Sequence, residues 1–175
     1  MNERLTKSAW LDHGLRVLAS KGAGGFKVGL MASGLGVSRG SFYWHFADLA
    51  GFESELIDAW EDATTSQVIA ATDPSGGRVA LENLIHRSLA DDRALDHAMR
   101  GWALQNERVA ERLALVDERR IAHICALLTR CGLEDRVARM RGKFLYWSYL
   151  GRPGAQVDEP EIKPFASAMV EMLLD

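Results

Sequence analysis

Apolar residues recur along this chain at steps of three and four, the period of a helix with one buried face. Trp10, Leu11, Leu15 and Leu18 set such a stripe over residues 7–21, with Thr6 placed to cap its start and Gly22 to end it. Val28, Met31 and Ala32 line a shorter helix that should stop at Gly34. Leu35-Gly36-Val37 then turns, Gly36 supplying the positive φ that a sharp reversal needs, and Ser38 caps a second short helix whose Phe42 faces inward. Asp48 caps the next, where Phe52, Leu56 and Trp60 share one face to about residue 71. The same period continues over about 78–90, 92–104, 107–131, 134–150 and 160–174. Gly22-Ala23-Gly24-Gly25, Asp73-Pro74-Ser75-Gly76-Gly77 and Gly151-Arg152-Pro153-Gly154 punctuate it. No run alternates β-branched and polar residues, so the pattern predicts an all-α chain of about nine helices, without repeats or low-complexity tracts.

Composition agrees with a folded chain: 175 residues, 47% apolar and 26% charged, match one large or two small soluble domains. The net charge of −3 points to no partner until it is divided. Residues 1–47 carry six Lys and Arg against two acidic residues, a balance of +4, and the remaining 15 cations and 22 acidic residues give −7. A basic head (1–47, with the opening of the following helix to about residue 52) on an acidic body (48–175) suits a polyanion at the head alone. Cys125 and Cys131 form no CxxC pair, which fits a reducing, cytoplasmic setting. Neither a leader-like apolar run after Met1-Asn2-Glu3-Arg4 nor a span-length apolar stretch occurs, so the expectation is a protein neither exported nor embedded.

Two short helices joined by a Gly-containing turn are the signature of a helix-turn-helix, whose second helix fits the DNA major groove. Its residues suit that role. Arg39 at the first turn can donate two hydrogen bonds to guanine, Ser41 can bond several bases, and Gly40 allows close backbone approach. Tyr43, Trp44 and His45 combine aromatic area with donors for phosphate and sugar, and Lys27 precedes the first short helix within reach of a phosphate. The amides after Ser38 and Asp48 are further anion donors. On spacing alone, a turn between two packed bundle helices fits equally well.

Residues 10–56 resemble the DNA-binding domain of TetR/AcrR-type transcriptional regulators. Lys21-Gly22 closes the first helix, Met31-Ala32 stands for an Ile-Ala-like pair, and the run Gly36-Val37-Ser38-Arg39-Gly40-Ser41-Phe42-Tyr43-Trp44-His45-Phe46 follows the family's Gly-Val-Ser-x-Gly-[Ser/Thr]-Leu-Tyr-x-His-Phe. The chain departs at Lys27, where the family has Thr, and at Leu49, where it has Lys and a side-chain phosphate contact. Gly14 and Gly29 also replace better helix formers, each at a cost of about 1 kcal/mol relative to Ala, which implies either a soft head or unusually close helices.

The resemblance implies a body that binds a small molecule and pairs two chains. Trp60, His86, His97, Met99, Trp102, Gln105, His123, Cys125, Phe144 and Trp147 are the candidates for a pocket, with Trp102 and His97 foremost, and each also reads as core or surface. For the dimer interface the last two helices present Val137, Met140, Arg141, Phe144 and Ser148, then Ile162, Phe165, Met169 and Met172, with Gly142, Ser148 and Gly151 permitting close approach. No Glu-x-x-His, HExxH, GxSxG or P-loop pattern occurs, so no enzyme, metal or cofactor is expected. The sequence therefore predicts a homodimeric, ligand-responsive repressor on a palindromic DNA operator. The alternatives are a metal- or redox-sensing regulator of the same fold, using Cys125 with His123 or His97, and a helical-bundle enzyme.

Overall fold

A computed structural model describes residues 5–72, 76–91, 93–152 and 157–175. Parts of two expected breaks, Asp73-Pro74-Ser75 and Pro153-Gly154, lie outside the described residues. All regular structure among those described is helical: α1 (Lys7–Lys21), a 3-10 turn (Ala23–Gly25), α2 (Val28–Gly34), α3 (Arg39–His45), α4 (Leu49–Glu61, a π turn Asp62–Ser66, then Gln67–Thr72), α5 (Gly77–Ala90), α6 (Ala94–Ala103), α7 (Glu107–Arg130), α8 (Asp135–Gly151) and α9 (Glu159–Leu174).

Local chemistry sets the ends. Thr6 Oγ1 accepts from the Ala9 amide at 3.2 Å, and Gly22 closes α1 at φ 66°, its amide donating to the Leu18 carbonyl. Asp48 Oδ1 accepts from the Gly51 amide at 2.7 Å. Gly36 takes φ 68° in the turn between α2 and α3. Ser38 stands extended at the N-cap of α3, but its side chain makes no cap hydrogen bond.

The helices group into two compact units, one built from the chain up to Ala63 with Arg93–Ala114, the other from Thr64 to Asp92 with Leu115–Asp175. A three-helix head is too small to bury its aromatic surface alone, so α6 and the start of α7 join it. In this first unit Trp10, Phe26, Phe42, Phe46, Phe52 and Trp102 are buried together with Met31, Leu56, Trp60, Met99 and Val109. Phe26 bridges Phe52 (5.8 Å between ring centres) and Trp102 (5.3 Å), edge-on to both. Polar contacts reinforce the assembly on the outside. Lys7 meets Glu55 at 2.6 Å, Arg112 meets Asp58 at 2.8 Å and Glu61 at 2.6 Å, and Arg108 donates to Ser54. The Glu61 hydrogen bond, above all, holds the Arg112 guanidinium further toward its charged form.

The second unit packs α5, α8, α9 and the later part of α7 around Leu81, Ile85, Leu127, Leu128, Leu145, Ile162, Ala166 and Val170. Arginines close its helix ends: Arg152 donates to the carbonyls of Ser88, Leu89 and Asp91 after α5, and Arg141 to that of Leu173 at the end of α9. Arg120 donates to Thr65 and Thr64 at 2.9 and 3.0 Å, and Arg119 to Ser66 at 3.4 Å. Three successive side chains fan over about 200° in an α-helix. The wider π turn narrows that fan, so all three hydroxyls reach adjacent arginines of α7. Tyr146 donates to Asp117 at 2.6 Å, and burial holds its hydroxyl well above the ordinary tyrosine range.

The two unexpected glycines have different reasons. A Cβ on Gly14 would stand 2.5 Å from Phe52 Cζ and 2.9 Å from Leu56 Cδ1, so α1 and α4 touch through the missing side chain. On Gly29 it would find only Arg39 Cδ, at 4.0 Å. Helix propensity alone predicts that Ala stabilises both sites by up to about 1 kcal/mol. Packing predicts opposite signs: Gly14→Ala should destabilise by roughly 1–3 kcal/mol because Phe52 is fully buried and cannot yield, whereas Gly29→Ala should stabilise. Urea denaturation of the two variants checks this, and a gain from Gly14→Ala would refute the close contact.

Candidate nucleic-acid interface

The site begins with which side of α3 is buried. Met31 and Ala32 on α2 and Phe42 on α3 lie in the core of the first unit. Backbone hydrogen bonds from Leu35 to Met31 and from Val37 to Ala32 fix the turn between them. With Phe42 inward, Ser38, Arg39 and Gly40 are exposed and Ser41 is half-buried. Tyr43 and Trp44 are 54% and 69% exposed. Lys27 is an exposed cation at the N-cap of α2. Arg39, Gly40, Tyr43 and Trp44 are thus all exposed on a short helix whose buried residue is Phe42.

His45 is placed otherwise. Its Nε2 lies 2.7 Å from the Leu5 carbonyl, and the ring is half-buried. With the proton on Nε2, that contact ties the residue preceding α1 to the end of α3, so His45 acts inside the unit and not as an outward donor. Arg39 is exposed, but its Cδ lies toward Gly29 of α2, on one flank of the helix. Near Gly34, burial first and then Arg16 and Lys21 push the His13 imidazole below its ordinary value, so it is neutral at pH 7.

The residues expected to form a pocket divide between the units. Trp60 is fully buried, Met99 lies in the same core, and Trp102 packs on Phe26, all as core of the first unit, where His97 and Gln105 are exposed. His86, His123, Cys125, Phe144 and Trp147 belong to the second. There His86 is exposed, His123 Nε2 meets Thr72 Oγ1 at 2.9 Å, and Cys125 Sγ would be 2.8 Å from a Cβ on Gly142. Burial raises the Cys125 thiol above its ordinary range. Trp60 and Trp102 are thus core of the first unit, where aromatic side chains bury large area. Among the described residues no three His, Cys, Asp or Glu side chains converge as a metal site. No described helix is long and apolar enough to cross a membrane.

The expected interface positions also separate. Met140 and Phe144 of α8 and Phe165 and Met172 of α9 are exposed, as is Ser148, while Val137 and Met169 are half-buried. Ile162 points into its own core, and Arg141 is engaged with the Leu173 carbonyl. Gly142 makes room for Cys125 within the unit. Trp147, expected in a pocket, is instead exposed beside Phe144. The signal was present, since 140, 144 and 147 follow the helical period.

Residues 11–50 match the family model of bacterial regulatory proteins, tetR family. Solved structures share the whole fold. A TetR-family transcriptional regulator from Mesorhizobium loti MAFF303099 superposes with a TM-score of 0.71 at 16% identity, covering 97% of this chain and 98% of that one. One from Rhodococcus sp. gives 0.71 at 15% identity, covering 96% and 98%. The ketosteroid transcriptional regulator KstR2 of Mycobacterium tuberculosis gives 0.62 at 20% identity, covering 99% and 94%. No curated protein matches the sequence significantly.

Asp48 is the residue on which the start of α4, just after α3, depends. Removing its carboxylate in Asp48→Ala should cost about 1 kcal/mol. Chemical denaturation measures this, and an unchanged midpoint would show that the cap contributes nothing.

Proposed function

With a tetR-type helix-turn-helix at residues 11–50 as premise, we propose that this chain is a sequence-specific DNA-binding transcriptional regulator, a homodimeric repressor released by a small molecule. The observation that carries the DNA-binding part is the outward side of α3, where Arg39, Gly40, Tyr43 and Trp44 are exposed because Phe42 is buried. Lys27, Arg39 and Tyr43 contact phosphates or rim bases, and Ser38 and Ser41 supply short donors. A random pool of duplex DNA passed over the full chain tests this. Enrichment of one inverted-repeat sequence is the expected result, and a pool that stays random overturns it.

The dimer reading rests on the exposed apolar stripe of Met140, Phe144 and Trp147 on α8 with Phe165 and Met172 on α9. Large apolar patches of this kind mark interfaces. A second copy related by a two-fold axis covers it, and the two α3 helices then meet half-sites about 34–36 Å apart. The effector acts from the body, favouring a dimer geometry that no longer matches successive major grooves. The regulator works in the cytoplasm. Its acidic residues outside the first 47 repel DNA elsewhere on the surface, so non-specific binding is modest and falls steeply with salt.

The double variant Phe144→Asp/Trp147→Asp places charges on that stripe at exposed positions. Light scattering at micromolar concentration should show a dimer for the unaltered chain and a monomer for the variant. Affinity for the enriched inverted repeat should drop at least tenfold, with the circular dichroism spectrum retained. A monomeric unaltered chain would sink the dimer reading.

A further inference from the structure

We propose that His45 is a positioning residue for DNA binding: the hydrogen bond that its Nε2–H donates to the Leu5 carbonyl fixes the tilt of α3, and the ring makes no contact with phosphate. This rests on the proposed DNA-binding role and adds to it a group that acts from inside the unit. The contact joins residues 40 apart in sequence, at 2.7 Å. Its acceptor is firmly held. Thr6, the next residue, is extended at φ −76° and ψ 158° and caps α1 through its Oγ1, while its carbonyl accepts from the Trp10 amide. The peptide that carries the Leu5 carbonyl is therefore anchored by the first turn of α1.

A carbonyl oxygen only accepts, so the ring nitrogen facing it carries a proton. In the neutral ring the other nitrogen, Nδ1, is then itself an acceptor, and a phosphate oxygen in front of it would find no hydrogen between them. The internal bond thus takes from His45 the donor that its place at the end of α3 would otherwise offer to DNA. What it supplies instead is direction. α3 has seven residues, and its buried Phe42 meets Trp10 edge-on at 5.3 Å. Ring packing tolerates a broad range of angles, whereas a hydrogen bond weakens steeply once it bends. Close by, the Lys7 Nζ lies 5.4 Å from the centre of the Phe46 ring and pairs with Glu55 of α4 at 2.6 Å. The start of α1 therefore grips the end of α3 at two points, and His45 makes the directional one. Without it that end of a short helix is free to tilt, which displaces together all the groups that α3 presents to DNA.

The test measures the affinity of the full chain for the duplex that it enriches from a random pool, at a temperature where each variant is folded by circular dichroism. His45→Ala should bind about three- to tenfold more weakly. His45→Gln, whose side-chain amide nitrogen reaches the place of Nε2, should regain most of that loss, and His45→Asn, whose amide nitrogen stands near the place of Nδ1, should not. The loss in His45→Ala should be the same between about 50 and 200 mM salt, because no charged contact to phosphate is removed. A residue that serves the fold alone would lower the melting temperature of His45→Ala and leave the affinity of the folded protein unchanged, which overturns the proposal. Rescue by Asn and not by Gln would make the ring a donor to DNA through Nδ1 and overturns it equally, as does failure of both to rescue. Should His45→Ala not fold, the comparison of Gln with Asn decides. A pool that yields no preferred sequence instead overturns the DNA-binding reading, and this proposal with it.

Discussion

The burial of Phe42 is the constraint on which the rest of the first unit depends. Its ring lies edge-on to Trp10 at 5.3 Å, and tilted against Phe46 at 5.1 Å and Phe52 at 5.5 Å. Those contacts come from α1, from the residue that ends α3, and from α4. A ring held on three sides fixes both the position and the rotation of a helix of seven residues. Such a helix is too short to be stable by itself, so its outward face is a consequence of tertiary packing. Gly14 contributes from the far side by letting Phe52 approach α1. The exposure of Tyr43 and Trp44 is thus decided by contacts that neither residue's function requires.

Charge follows the same hierarchy. The +4 balance of the first 47 residues is a property of the chain, whereas the compact unit also contains the acidic start of α4 and the arginines of α7. Lys7, a cation of the basic segment, is paired with Glu55 and lies 5.4 Å from the centre of the Phe46 ring. Asp58 and Glu61 are in turn occupied by Arg112. Glu55, Asp58 and Glu61 of α4 are thus paired locally, and Lys27 and Arg39 are exposed. Exposed pairs of this sort contribute little to stability. Their effect is to leave Lys27 and Arg39 as exposed cations near α3.

Helix positions were legible in the sequence because each is set by neighbours three or four residues away. Thr6, Gly22, Gly36 and Asp48 act at the places their chemistry indicates. The expected helix to residue 71 is also continuous in the structure, but with a π turn at Asp62–Ser66 that periodicity does not reveal. That turn answers Arg119 and Arg120, more than fifty residues away. The same limit explains the division of the chain and the scattered pocket candidates. Trp102 belongs with Phe26 because a small head needs further aromatic area, and no local spacing records which distant helix supplies it.

A tryptophan in a helical pattern carries three different meanings in this chain, and only its neighbours across space separate them. Trp60 is enclosed in the first unit, Trp147 is exposed at helical spacing from Met140 and Phe144, and Trp44 is exposed on α3. The free energy of leaving an indole in water is similar in the last two cases. What differs is the surface that can relieve it. Exposed Met, Phe and Trp spaced along one helix are best covered by another apolar surface of similar extent. A single indole along one short helix offers too little area for that. The extent of exposed apolar surface, more than its presence, therefore decides what kind of surface can cover it.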